Sequence, residues 1–357
     1  MTVAADSVWG MTAHSSPFRF ARPGALIAAL PAVLGFVPER SLVVVSLERG
    51  RMGAVLRADL SEGLESDVGR LAEVVGNSGA ETAVAVIVDA DGALCPMCNA
   101  DYQRLSDALA SELTGRGVGL SATHVVDRVD VGGSWHCVDG CGAGGLVDDP
   151  VASPLAAAAV LDGRRLYARR ADLQAVVSVS DPARAAVLKG LLEAQAARRS
   201  GDRKADPDGC GRRDVEAALA AAARVAEVGE LSDAEIVAVA CGLVDGAVRD
   251  TLYALAVGVE AARAEALWAL LARTLPDPWR NESLVLLAFS SYVRGDGPLA
   301  GLALEAALRS DPEHRMAGML DTALQSGLRP EQIRKLANTG YRQARRLGVR
   351  LPARRAV

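Results

Sequence analysis

The chain has 357 residues, 50% of them hydrophobic and 23% charged. That is enough apolar material for two packed cores, and it excludes an intrinsically disordered chain. The formal net charge is −5, unevenly distributed along the chain.

Residues 1–16 carry no hydrophobic period and are expected to be disordered. Ala25 to Val37 is an apolar stretch of thirteen residues, too short for a bilayer and without a small-x-small cleavage site before Pro38-Glu39-Arg40. It reads as a buried helix opened by Pro23. Neither membrane insertion nor export is expected, which places the protein in the cytoplasm with its six cysteines reduced. Ser41–Leu47 and Ala54–Leu60 read as strands joined by a hairpin at Glu48-Arg49-Gly50-Arg51, with glycine taking a left-handed position. A helix opening near Ser66 or Asp67 follows, with Val68, Leu71, Val74 and Val75 on one side.

Thr82–Val88 is a continuous apolar run, the pattern of a strand buried on both faces. A helix from about Asn99 to Leu113 and a strand over Leu120–Val129 complete an α/β domain, residues 17–150, with a mixed sheet covered by helices. From Pro150 onward the strand signal disappears and Ala-rich amphipathic stretches dominate, interrupted by a polar loop expected at Arg199–Arg213. This predicts an all-α, tetratricopeptide-like domain over 151–345. Within it Leu287, Ala288, Gly295, Ala300, Leu304, Ala307 and Pro312 have the spacing of one tetratricopeptide unit, and a degenerate copy lies 34 residues earlier.

The last segment is basic. Nine Arg and Lys side chains from Arg329 to Arg355 face one acid, Glu331, so this end carries +8 and the remainder −13. Residues 346–357 read as a solvated tail. No aromatic residue follows Tyr341, which argues against base stacking and leaves nucleic acid an unexpected partner.

Chemistry is concentrated in the first domain. Cys95-Pro-Met-Cys98 and Cys137-Val-Asp-Gly-Cys141 form two close pairs 38 residues apart, and two such knuckles can present four sulfurs to a tetrahedral zinc, with His136 able to replace one. The expectation is a structural zinc on Cys95, Cys98, Cys137 and Cys141. Two alternatives stand beside it: a redox dithiol at Cys95 and Cys98, between a strand and a helix, and plain surface thiols. Asp89 and Asp91 follow the buried strand, at the sheet end where open α/β folds bind ligands, although aspartates also cap strand exits. Gly140, Gly142 and Gly145 satisfy G-x-G-x-x-G without the flanking strand and helix that a dinucleotide needs, and no P-loop is present. With four histidines and no nucleophile elbow, a hydrolytic triad has no support.

The segment Leu30-Pro-Ala-Val-Leu-Gly-Phe-Val-Pro-Glu-Arg-Ser-Leu-Val-Val-Val45 resembles the opening of an actinobacterial family, domain of unknown function 4192. Val248-Arg249-Asp250, Gly295-Asp296-Gly297 and Asp311-Pro312-Glu313-His314 are similar to later parts of it, so the likeness runs from about Pro17 to Pro330. The resemblance implies neither an activity nor catalytic residues. Family members tend to carry a cysteine segment after a tryptophan, near Trp135 to Cys141 here, with spacing that this chain alters; the Cys95/Cys98 pair is peculiar to this chain.

These readings lean away from an enzyme. The first expectation is a binding or scaffold protein that offers a protein partner a groove on its helical half. The alternative is an enzyme or a small-molecule or metal sensor with its site at the sheet edge, near Asp89, Asp91 and the paired cysteines.

Overall fold

The computed structural model describes residues 9–12, 22–61, 63–161 and 163–355. It consists of two compact units, Met1–Arg170 with Ala323–Leu328, and Ala171–Thr322 with Arg329–Val357.

In the first unit the order is β1 (Trp9–Thr12), α1 (Pro23–Leu34), β2 (Ser41–Glu48), β3 (Arg51–Asp59), α2 (Leu64–Asn77), β4 (Thr82–Val88), α3 (Pro96–Thr114), β5 (Gly119–Val126), β6 (Ser134–Cys137), β7 (Gly144–Leu146) and α4 (Pro154–Leu161). The seven strands form one mixed sheet in the order β1-β3-β2-β4-β5-β6-β7. Only β4 and β5 are parallel, joined through α3; all other neighbours are antiparallel. The β2–β3 hairpin turns at Arg49 and Gly50, both with positive φ (51° and 74°), the backbone that matches strand twist.

Strand periodicity divides the core in two. Leu42, Val44, Leu56, Ala85 and Ile87 face α2 and α3 and pack with Leu71, Leu109 and Leu113. The alternate residues Val43, Val45, Val55 and Val86 are also fully buried, on the side of α1, α4 and the turn after α1. There the Arg57 guanidinium lies 6.0 Å from the Phe36 ring centre. Each such side chain contributes about 1.5–3 kcal/mol when removed from water.

Several boundaries differ from the sequence reading, each for a local reason. Trp9–Thr12 lies within the segment expected to be disordered, yet its backbone pairs with β3; residues 1–8 and 13–16 lie outside the described residues. Helix α2 starts at Leu64 with Gly63 as N-cap, before the expected Ser66 or Asp67; the Ser66 side chain is likewise outside the description. The first unit extends to about residue 170 rather than Pro150, because α4 buries Leu155, Ala156 and Ala159 and packs on α1.

The second unit is helical: α5 (Arg170–Ala175), α6 (Pro182–Ala205), α7 (Pro207–Val228), α8 (Asp233–Leu243), α9 (Gly246–Leu252), a 3-10 turn over Tyr253–Val257, α10 (Ala261–Thr274), α11 (Trp279–Arg294), α12 (Gly297–Ser310), α13 (Arg315–Gln325), α14 (Pro330–Ile333) and α15 (Ala337–Leu347). The loop expected at Arg199–Arg213 is helix apart from Asp206, which caps α7 by accepting the Gly209 N–H at 2.9 Å. The polar residues that suggested a loop serve an internal ion cluster: buried Asp214 accepts Arg199 and, at 2.5 Å, Arg203.

The helical pair read from Leu287 to Pro312 is α11 and α12, joined through Gly295 (φ 84°). Its small residues Ala288, Ala300 and Ala307 are fully buried, and α11 is buried continuously from Ser283 to Val293. Both helices form the centre of the unit, so their faces are already covered. The segments that carry the family resemblance meet around them. Arg249 reaches Glu282 Oε1 at 3.0 Å, and His314 Nε2 lies 3.5 Å from the same oxygen. The basic end is docked as far as residue 355: the Arg355 N–H donates to the Val257 carbonyl at 3.0 Å, and Arg354 stacks 4.7 Å over Tyr341.

A Cβ at Gly340 would lie 2.8 Å from the carbonyl oxygens of Asp250 and Thr251, whereas nothing lies within 4 Å of one at Gly190. Urea unfolding should therefore show Gly340→Ala destabilised by about 1–3 kcal/mol and Gly190→Ala stabilised by up to about 1 kcal/mol. His314 is held above the usual histidine range, first by its hydrogen bond to Glu282. Its contribution is complete below the unfolded value of about 6.5 and is lost as pH rises through the higher folded value. Stability measured from about pH 6 to 9 should fall less steeply in His314→Gln than in the unaltered chain.

Candidate functional site

Strand β4 is apolar until Val88, and the chain then turns polar at the carboxyl end of the parallel pair. The Asp89 N–H extends the ladder by donating to the Val126 carbonyl at 3.0 Å. Its carboxylate accepts the Asp91 N–H at 3.2 Å and the Tyr102 hydroxyl, from the first turns of α3, at 2.7 Å. Burial, then this carboxylate, pushes the Tyr102 phenol above its ordinary range, so it remains a donor. Gly92 allows the approach, since a Cβ there would collide with the Tyr102 hydroxyl.

Beyond the ends of β4 and β5 and the start of β2 lies a cavity of about 1080 Å³, slightly above the roughly 300–1,000 Å³ usual for ligand sites. Its walls come from α1, the turn before β2, the β4 and β5 exits and α4, all within the first unit. Pro31, Val37, Val129, Val160 and Leu166 are among its apolar lining, and its charged lining is Glu39, Arg40, Asp89, Asp91, Asp127, Arg128 and Asp130. Five carboxylates against two guanidiniums leave a formal charge of −3 at the rim.

Some of these acids have structural duties. Asp127 accepts the backbone N–H groups of Arg128 and Ser134 at 2.7 and 2.8 Å and pairs with the Arg128 guanidinium, and Asp130 caps Val131. Glu39, Arg40 and Asp91 are exposed. Arg40 has φ 42°, a left-handed backbone uncommon for a non-glycine residue. It is fixed there by the Leu60 N–H donating to its carbonyl at 2.8 Å. A held strain of this kind beside a cavity is typical of binding sites. The wall from Pro31 to Arg40 had been legible only as helix and turn.

The cysteines lie elsewhere, in two separate pairs. Cys95 is the N-cap of α3, where its sulfur accepts the Cys98 N–H at 3.4 Å. That N–H is the leading influence lowering the Cys95 thiol, and the Cys98 thiol is raised, first by its hydrogen bond to Cys95. Cys137, Asp139 and Cys141 offer ligand atoms that all lie within 4.8 Å of one another. Among the described residues this is the only such group of three or more, so the two cysteine pairs do not converge on one point.

His136 takes no part in the group. Successive residues of β6 alternate faces, so His136 turns toward Asn99 of α3 at 3.2 Å while Cys137 lies opposite His124. The side chain that reading by spacing missed is His124: its Nδ1 is 3.5 Å from Cys137 Sγ, and its ring packs edge-on against Trp135. No sequence spacing links residues 124 and 137; only strand register brings them opposite. Burial pushes the Cys137 thiol up to about 11, Cys141 adding to the effect, and burial holds His124 below the usual histidine range.

The fold and site together define an α/β unit with a sheet-end cavity, continued by a helical unit. The model of the family described as Domain of unknown function (DUF4192) matches residues 23–331, and the chain belongs to that family. No curated protein and no solved structure matches it. Among the described residues no helix is long and apolar enough to cross a membrane.

Proposed function

We propose that this protein binds a small molecule in the cavity beyond β4 and β5, with an apolar body inside and a cationic head at the rim. The supporting observation is position: the cavity occupies the carboxyl end of the parallel strands, where open α/β sheets take their ligands. The excess of carboxylates at its mouth sets the sign of the head group. The segment that carries the family resemblance, residues 30–45, supplies Pro31, Ala32, Val37, Pro38, Glu39 and Arg40 to the wall. A protein partner for the helical half belongs to this reading only through surfaces other than α11 and α12, which are buried. A cytoplasmic location is supported by six cysteines that are all free thiols.

Fluorescence titration with a cationic apolar dye, thioflavin T, and an anionic one, anilinonaphthalene sulfonate, tests this. The cationic dye should bind in preference, and Ala157→Trp, which fills the cavity from α4, should weaken it about tenfold or more. Equal binding of both dyes, or no effect of the tryptophan, would refute the reading.

A structural zinc is also proposed, narrowed to the second cysteine pair. Cys137 and Cys141 supply thiolates and Asp139 a carboxylate, the three ligand atoms that lie within 4.8 Å of one another. His124 Nδ1 stands 3.5 Å from Cys137 Sγ beside this group and outside it. Metal analysis of the purified chain should find one zinc, lost in Cys137→Ser and retained in Cys95→Ser. Loss in Cys95→Ser, or no zinc at all, would count against it.

A further inference from the structure

We infer that Cys95 and Cys98 form a reversible dithiol–disulfide couple that exchanges electrons with disulfides of other molecules, with Cys95 as the attacking thiol and Cys98 as the resolving one. The pair is separate from the zinc ligands proposed above and does not line the cavity. The argument rests on an asymmetry built by α3. Cys95 is the extended N-cap residue, with Pro96 as the first helical residue, so its sulfur sits at the helix terminus and receives the Cys98 N–H at 3.4 Å. A thiolate there meets unsatisfied N–H groups and the positive end of a 19-residue helix.

Cys98, one turn along, packs against the core cluster that contains Leu105 and Val138. Its thiol is hydrogen-bonded to that of Cys95, which puts the two sulfurs within reach of a disulfide. The immediate neighbours Leu94 and Met97 are 86% and 80% exposed. These accessible apolar side chains flank the attacking sulfur, a suitable surface for a peptide carrying a disulfide.

The exchange balances. Cys95 thiolate attacks one sulfur of R–S–S–R′, a Cys95–S–R bond forms, and R′–S⁻ leaves and takes a proton from water. Cys98 loses its proton to water, and its thiolate attacks Cys95 Sγ. The Cys95–Cys98 disulfide forms and R–S⁻ leaves, so two electrons have passed from the dithiol to the substrate. Two equivalents of a low-molecular-weight thiol reverse the sequence and restore the dithiol.

The test uses the full chain and oxidised glutathione as the probe, with acid quenching, alkylation and peptide mass spectrometry. The unaltered protein should yield a Cys95–Cys98 disulfide and two glutathione thiols per chain. Cys98→Ser should accumulate one glutathione on Cys95, and Cys95→Ser should release none from this segment. In the reduced protein at pH 7, Cys95 should alkylate about tenfold faster than exposed Cys141. Glutathione adducts appearing equally on Cys141 and Cys95 would overturn the inference. So would an absent Cys95–Cys98 disulfide, or zinc that protects both cysteines from alkylation.

Discussion

The first unit depends on one constraint: its central strands β2 and β4 are apolar on both faces, and water has to be kept from both. Helices α2 and α3 cover one face, and α1 and α4 the other. Two layers of helices cannot also seal the strand ends, where the backbone turns and needs polar company. The cavity is left at that end, and the aspartates after β4 and β5 sit there because they satisfy the exits of the strands. Asp89 and Asp127 are therefore structural and site residues together: one holds Tyr102, the other ties β5 to β6.

The same architecture separates the thiols. Helix α3 begins where β4 ends, which places Cys95 at a helix terminus. Strand β6 pairs with β5, which places Cys137 opposite His124. One pair thereby lies at a helix terminus and the other in a Cys-Asp-Cys cluster beside a strand, although in the sequence both look like knuckles of one zinc site. Local backbone direction keeps the two pairs apart.

The helical unit is organised by buried charge as well as by small residues. Asp214 with Arg199 and Arg203, Glu265 with Arg294, and Glu282 with Arg249 and His314 are ion pairs shielded from water. Removing one partner of such a pair strands the other in a poor solvent for charge, which costs more than the pair itself contributes. The family-like motifs around Arg249, Asp296 and His314 are explained by this packing, and the α11–α12 pair is the core of its unit rather than an open groove.

Features that depend on local pattern are legible along the chain. The apolar runs at Ser41–Leu47 and Thr82–Val88, the hairpin at Arg49-Gly50, helix α1 after Pro23 and the α11–α12 pair were all legible, because period, proline and glycine act within a few residues. Strands β1, β6 and β7 were not, being four residues or fewer and stabilised by a neighbour rather than by their own composition. Of the site, Asp89 and Asp91 could be read from their place after a buried strand. The wall from Pro31 to Arg40, the pairing of His124 with Cys137, and the separation of the two cysteine pairs were decided by tertiary structure alone. Each depends on which strands lie side by side and on which face a residue emerges, and spacing along the chain carries neither.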